Sequence, residues 1–155
     1  QEPLWQANKG HVLIWPGQCA QMPLLGGNLA VVSLLQGTRF LKLPPAVVLF
    51  VESCAEAQEG LDLPFFTQRL FSLLQVMQET GSKCHGLLIG RFQTGSQIGA
   101  GDLCQLVEKL QGCGLLESHV PVIANLDFGH TYPMHVIPIG GRATINNQSI
   151  TIHDQ

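Results

Sequence analysis

The sequence predicts an α/β fold with a mostly parallel sheet, covering helices and a C-terminal β-hairpin, all within one domain spanning residues 1–155. Three observations carry this expectation. Short apolar runs rich in strand formers alternate with amphipathic stretches in the order β-α-β-α-β-α-β. The run "AVVLFV" (46–51) is apolar at every position, as suits a central strand covered on both faces. After residue 134 the pattern changes to short β segments, and "RATINNQSITI" (142–152) alternates around Asn146-Asn147 like a closing hairpin.

Taken in order, "HVLIW" (11–15) reads as a short strand closed by Pro16-Gly17. "GGNLAVVSLLQGT" (26–38) reads as a helix. Asn28 is a good N-cap, Leu29, Val32 and Leu35 share a face, and Gly37 suits the position past the end. "LPPAVVLFV" (43–51) gives the central strand. "DLPFFTQRLFSLLQVMQETG" (62–81) is the strongest helix: Pro64 fits its first turn, Gly81 ends it, and Phe66, Leu70, Leu73, Leu74 and Met77 form one stripe. "GLLIGRF" (86–92) returns as a strand, and "TGSQIGAG" (94–101) reads as a surface loop. "DLCQLVEKLQGCG" (102–114) is a second amphipathic helix, with Leu103, Leu106, Val107 and Leu110 on one side. "VPVIANL" (120–126) is a buried-type strand, and "HVIPIG" (135–140) a short β segment before the hairpin.

Composition narrows the function. The chain has 155 residues, enough for one domain with a full core. Its eight Lys and Arg are scattered singly within a net charge of −3, so no basic stripe exists to neutralise a nucleic-acid backbone. No apolar run approaches the roughly 18 residues of a membrane span, and the first residues lack the order of a signal peptide. Five cysteines (Cys19, Cys54, Cys84, Cys104 and Cys113), without framework spacing, read as reduced thiols in a reducing compartment. Only 12% of residues are charged and the chain begins at Gln1, which together favour a piece of a longer protein. No metal or cofactor is expected from the local spacing of His, Cys and acidic residues.

Functional groups in such sheets gather beyond the carboxyl ends of the strands. Glu52 directly follows "AVVLFV", and His130 follows "VPVIANLDFG". A carboxylate that hydrogen-bonds one imidazole nitrogen fixes the tautomer and frees the other nitrogen as a base. The two residues lie 78 apart in the chain, so only the fold can join them. Against this stands the plainer reading of Glu52 as a strand-end residue and His130 as a turn residue. The other candidates are weaker. Asp127 suits turn-making better than orientation of His130. His135 follows Pro133 and cannot form a helical metal pair with His130. Cys54, near Glu52, reads as a small packing residue. "GRFQTGSQIGAG" (90–101) lacks the Gly-Lys-Ser/Thr ending of a phosphate loop, and no serine sits in a G-x-S-x-G elbow.

Several stretches together carry a resemblance: "LLGGNLAVVSLLQGTRF" (24–40), "AVVLFVES" (46–53), "QRLFSLLQ" (68–75), "GLLIGRF" (86–92) and "PVIANLDFGHTYPMHVIPIGGRATI" (121–145). In this order they resemble the C-terminal domain of the LD-carboxypeptidases and the related microcin-C immunity peptidases. The resemblance implies a swivelling β/β/α domain and a Ser–Glu–His triad. Its glutamate falls on Glu52 and its histidine on His130, while the serine and oxyanion hole belong to an N-terminal domain absent from this chain. Where the family glutamate is commonly followed by Asp, Ser53 stands here.

By that resemblance the parent protein is a cytoplasmic serine carboxypeptidase needing no cofactor. It cleaves an amide next to a D-amino acid, as in recycled murein tetrapeptide, or a related microcin-type conjugate. This chain alone is expected to be inert. The expected partners are its own N-terminal domain and a small peptide, with neither nucleic acid nor membrane, and the exposed interdomain face is compatible with a homodimer. Two other readings stand beside it: a non-catalytic binding or interaction module that keeps the fold, and a self-contained Cys–His–Glu hydrolase.

Overall fold

The computed structural model describes residues 7–54, 62–147 and 149–153. Among the described residues seven strands form one sheet. They are β1 (Val12–Trp15), β2 (Cys19–Asn28), β3 (Ala46–Glu52), β4 (Lys83–Gly90), β5 (Val122–Leu126), β6 (Arg142–Asn146) and β7 (Ser149–His153). The strand order is β1-β5-β4-β3-β2-β6-β7. Strands β2, β3, β4 and β5 pair in parallel, which needs crossover connections, here made through helices. Strand β1 runs antiparallel to β5, β6 to β2, and β7 to β6. The sheet is therefore mixed rather than mostly parallel: a parallel centre is flanked by antiparallel strands, because β1 and the C-terminal hairpin join through connections without crossover helices.

Helices α1 (Leu29–Leu34), α2 (Asp62–Glu79) and α3 (Ala100–Gly112) connect the parallel strands. Side chains alternate along β3, so its two faces feed different cores. Val47, Leu49 and Val51 meet the helices, packing with Phe66, Leu70, Leu73, Leu74, Leu103 and Leu106. Val48 and Phe50 point the other way, into a smaller cluster with Leu88, Ile123, Phe128, Ala143 and Ile145. Ile145 of β6 lies against Gly86 of β4 on that second face, where a Cβ on Gly86 would come within 2.7 Å of Ile145 Cδ1. The sheet thus curls until its own hairpin covers the face that carries no helix. Periodicity could not place these layers; the alternation of β3 resolves them.

Strand β2 makes the curl. Its first half pairs with β6 (Met22 with Ala143) and its second with β3 (Leu24 with Val48). Residues 19–25 carry no clear strand signal in the sequence, since Pro23 and the following Gly26-Gly27 are strand breakers. Pro23 sits where the strand changes partner. The helix expected over 26–38 holds only as α1, with Asn28 as N-cap: its side chain accepts from the Val31 N–H at 3.2 Å. The helix expected from 102 starts two residues earlier, and the Asp102 carboxylate accepts from the Gly99 N–H at 2.9 Å. Thr94–Ser96 of the expected loop forms a single 3-10 turn.

Residues 135–140, expected as a β segment, form no strand. Pro138 within the segment and Pro133 just before it lack N–H donors, and Val136 is 92% exposed. Pairing resumes only at its end, where Gly140 N–H donates to Leu24 O and Leu24 N–H to Gly141 O, both 2.8 Å. The hairpin forms as expected, although Gln148 in its turn lies outside the described residues.

Candidate active site

Strands β3, β4 and β5 end side by side, and each delivers one part of a polar cluster. Glu52 is the last residue of β3, paired in register with Asn28 of β2. It is buried, at 6% exposure. His130 lies beyond β5, and its Nδ1 stands 2.7 Å from Glu52 Oε2. The two residues nominated from the sequence are thus brought together across 78 residues. The imidazole is half exposed, so Nε2 is the nitrogen left to face solvent or a ligand.

This approach depends on two residues without side chains. Gly129 has φ +101°, and a Cβ there would lie 2.9 Å from the Cβ, Cγ and Oε2 of Glu52. A Cβ on Gly90, the last residue of β4, would meet Glu52 Cβ at 2.9 Å and Phe128 O at 2.7 Å. The glutamate is therefore sandwiched between two bare stretches of backbone. Phe128 anchors the turn by an edge-to-face contact with Phe50 of β3, ring centroids 5.9 Å apart.

One participant had not been nominated. Arg91, just past β4, is 7% exposed, and its guanidinium serves the segment that carries His130. Nε donates to Thr131 Oγ1 at 3.1 Å, and a terminal nitrogen donates to Tyr132 O at 2.8 Å. The same nitrogen reaches Pro133 O at 3.4 Å and pairs with Asp127 Oδ1 at 3.2 Å. Two residues further on, Gln93 Nε2 donates to His130 O at 3.2 Å. Asp127 also accepts from Asn8 Nδ2 at 2.8 Å. It faces Arg91 and the N-terminal segment, in keeping with a role in shaping the turn. Arg91 falls inside the strand expected over 86–92, and its only sequence signal is a lone cation near the end of that apolar run.

The remaining candidates do not join the pair. His135 is exposed and is held by its backbone, its N–H donating to Asp127 O at 2.6 Å. Cys54 Sγ lies 3.8 Å from Asn28 Nδ2. The five thiols are free. Burial pushes the Cys84 thiol up to about 12 and raises that of Cys19 as well, so neither carries the thiolate a nucleophile needs. Among the described residues no three His, Cys, Asp or Glu side chains gather as metal ligands, and no helix is long and apolar enough to cross a membrane.

A curled mixed sheet with helices on one face, presenting a buried carboxylate hydrogen-bonded to a half-exposed imidazole beyond its parallel strand ends, defines an α/β domain equipped for acid–base chemistry. The sequence model of one family, described as the LD-carboxypeptidase C-terminal domain, matches residues 21–145, and this chain belongs to that family. Solved structures agree. An MccF-like protein from Bacillus anthracis str. Ames is 34% identical with a TM-score of 0.81, over 96% of this chain and 44% of that one. An MccF-like protein from Streptococcus pneumoniae, solved in complex with AMP, shares the fold at 20% identity and a TM-score of 0.66 (96% of this chain, 45% of that one). A muramoyltetrapeptide carboxypeptidase from Oxalobacter formigenes does so at 24% identity and a TM-score of 0.59 (94% and 50%). The chain spans 39% of the length of a curated Bacillus subtilis (strain 168) relative to which it is 33% identical over 138 residues.

Proposed function

We propose that this chain is the C-terminal part of a serine carboxypeptidase and supplies the Glu and His of a Ser–Glu–His triad. The observation that carries the reading is the 2.7 Å contact between Glu52 Oε2 and His130 Nδ1. Glu52 accepts the Nδ1–H and so holds the ring in the tautomer whose Nε2 lone pair points outward. Nε2 removes the proton from a serine hydroxyl supplied by the N-terminal domain, as that oxygen attacks the substrate carbonyl. The resulting imidazolium, stabilised by the buried carboxylate, protonates the leaving amine. A water activated by the same nitrogen then hydrolyses the acyl-enzyme.

In this reading the oxyanion hole and nucleophile lie on the partner domain, and the chain alone is inert. The domain is of the swivelling β/β/α type in that family. The substrate is a small peptide cleaved at an amide next to a D-amino acid, with murein tetrapeptide as the default, or a related microcin-type conjugate. The names of the structural neighbours support both classes without separating them. The free thiols are consistent with a cytoplasmic setting.

The test is hydrolysis of murein tetrapeptide by the full-length parent and by its His130→Ala variant. The expected loss in kcat is roughly 10⁴-fold or more. Undiminished turnover in the variant refutes the triad role of His130.

A further inference from the structure

The guanidinium of Arg91 binds both stems of the segment whose apex is Gly129-His130. On one side it pairs with Asp127, and its backbone N–H donates to Leu126 O at 2.8 Å. On the other it holds Thr131, Tyr132 and Pro133. Burying an arginine is costly unless its donors are satisfied, and here four acceptors lie on this one segment. A planar fork with fixed donor directions suits that task, whereas a lysine offers a single point charge. Residues 131–139 contain no helix or strand, only an isolated bridge at Tyr132 and the His135 N–H bond to Asp127 O, so side-chain donors from the end of β4 supplement sparse backbone pairing.

We infer that Arg91 is a positioning residue for His130, acting with Asp127 and Gln93 to hold the imidazole on Glu52. Glu52 touches the ring; Arg91 and Gln93 fix the backbone on which it is mounted. A hydrogen bond of 2.7 Å tolerates little displacement of that backbone, so loosening either stem turns the ring away from the carboxylate. Asp127 thereby influences the histidine through the arginine, not by contact with it.

The consequence for catalysis rests on the triad reading, but the test does not. In the full 155-residue chain labelled with ¹⁵N, the His130 ring is read by NMR for its tautomer and for solvent exchange of Nδ1–H. The wild type is expected to show a protected Nδ1–H and, with the ring neutral, the Nδ1-protonated tautomer. Arg91→Lys keeps the charge and loses the fork, and is expected to speed Nδ1–H exchange roughly tenfold while the folded spectrum of β3 and β4 persists. A merely structural role lowers the melting temperature and leaves Nδ1–H protected in the folded population, which would overturn the inference. Should Arg91→Lys fail to fold, Thr131→Val and Gln93→Ala decide, each removing one contact while leaving Arg91 buried. Faster exchange in either supports the inference, and unchanged exchange in both overturns it. Failure of the triad reading shows separately, as undiminished hydrolysis by the His130→Ala parent.

Discussion

At Gly129 the missing side chain makes room for the Glu52 carboxylate. An alanine there would combine an unfavourable φ of +101° with a Cβ 2.9 Å from three atoms of a buried glutamate. The glutamate cannot retreat, because Gly90 presses on its other side. Gly129→Ala is therefore expected to destabilise the chain by about 1–3 kcal/mol. It should also break the Nδ1–Oε2 hydrogen bond, so urea denaturation and the Nδ1–H resonance of His130 should both change. A variant as stable as wild type would show that the turn relaxes freely. Residues of this kind mark the limit of what the sequence discloses. Glu52 and His130 were legible because strand ends collect functional groups and ionisable residues are scarce in this chain. Arg91 was not, because a lone arginine carries no sign that it is buried or that its acceptors lie some 40 residues away.

The junction of β2 and α1 joins two elements at one residue. Asn28 closes the register with Glu52, caps α1 through the Val31 N–H, and reaches Cys54 with its amide. Helix α1 has only six residues, too few to stand on propensity, so its start depends on this cap and on Leu29 and Val32 against the core. Asn28→Ala is expected to cost about 1 kcal/mol by urea denaturation, and Asn28→Asp, which keeps the acceptor oxygen, much less. Equal losses in both would place the contribution in the amide contact with Cys54 instead of the cap. The cap was legible because Asn before an apolar-periodic run is a local signal. Strand β2, immediately upstream, was not. Its pairing changes at Pro23 from β6 to β3, and a strand that serves two partners can carry breakers that a regular strand cannot. The expected β segment at 135–140 failed for the converse reason: its residues are apolar enough for a strand, but Pro133 just before it and Pro138 within it remove donors that a ladder needs.

Across the whole molecule, apolar residues are left outside on the side of the site. Tyr132, Met134, Val136 and Ile139 are 43%, 49%, 92% and 68% exposed, and all follow His130 within one irregular segment. Arg91 holds the backbone of Tyr132 and Pro133, so the base of this segment is fixed while its apolar side chains face outward. Chains do not commonly expose such a series without a partner. In the two-domain reading, the nucleophile-bearing domain covers this surface, which brings its serine toward the outward Nε2 of His130. Without that domain, the 155-residue chain is expected to bind a hydrophobic dye and to self-associate in a concentration-dependent way by analytical ultracentrifugation. Val136→Lys with Ile139→Lys should abolish both effects with little loss of stability, since neither side chain belongs to either core cluster. In the full-length parent the same pair of lysines should raise KM or lower kcat while the isolated domain remains folded, because the damage falls on the docking of the two halves. A wild-type chain that stays monomeric at high concentration and binds no dye would count against the covered surface. Undisturbed turnover in the double-lysine parent would place the other domain elsewhere.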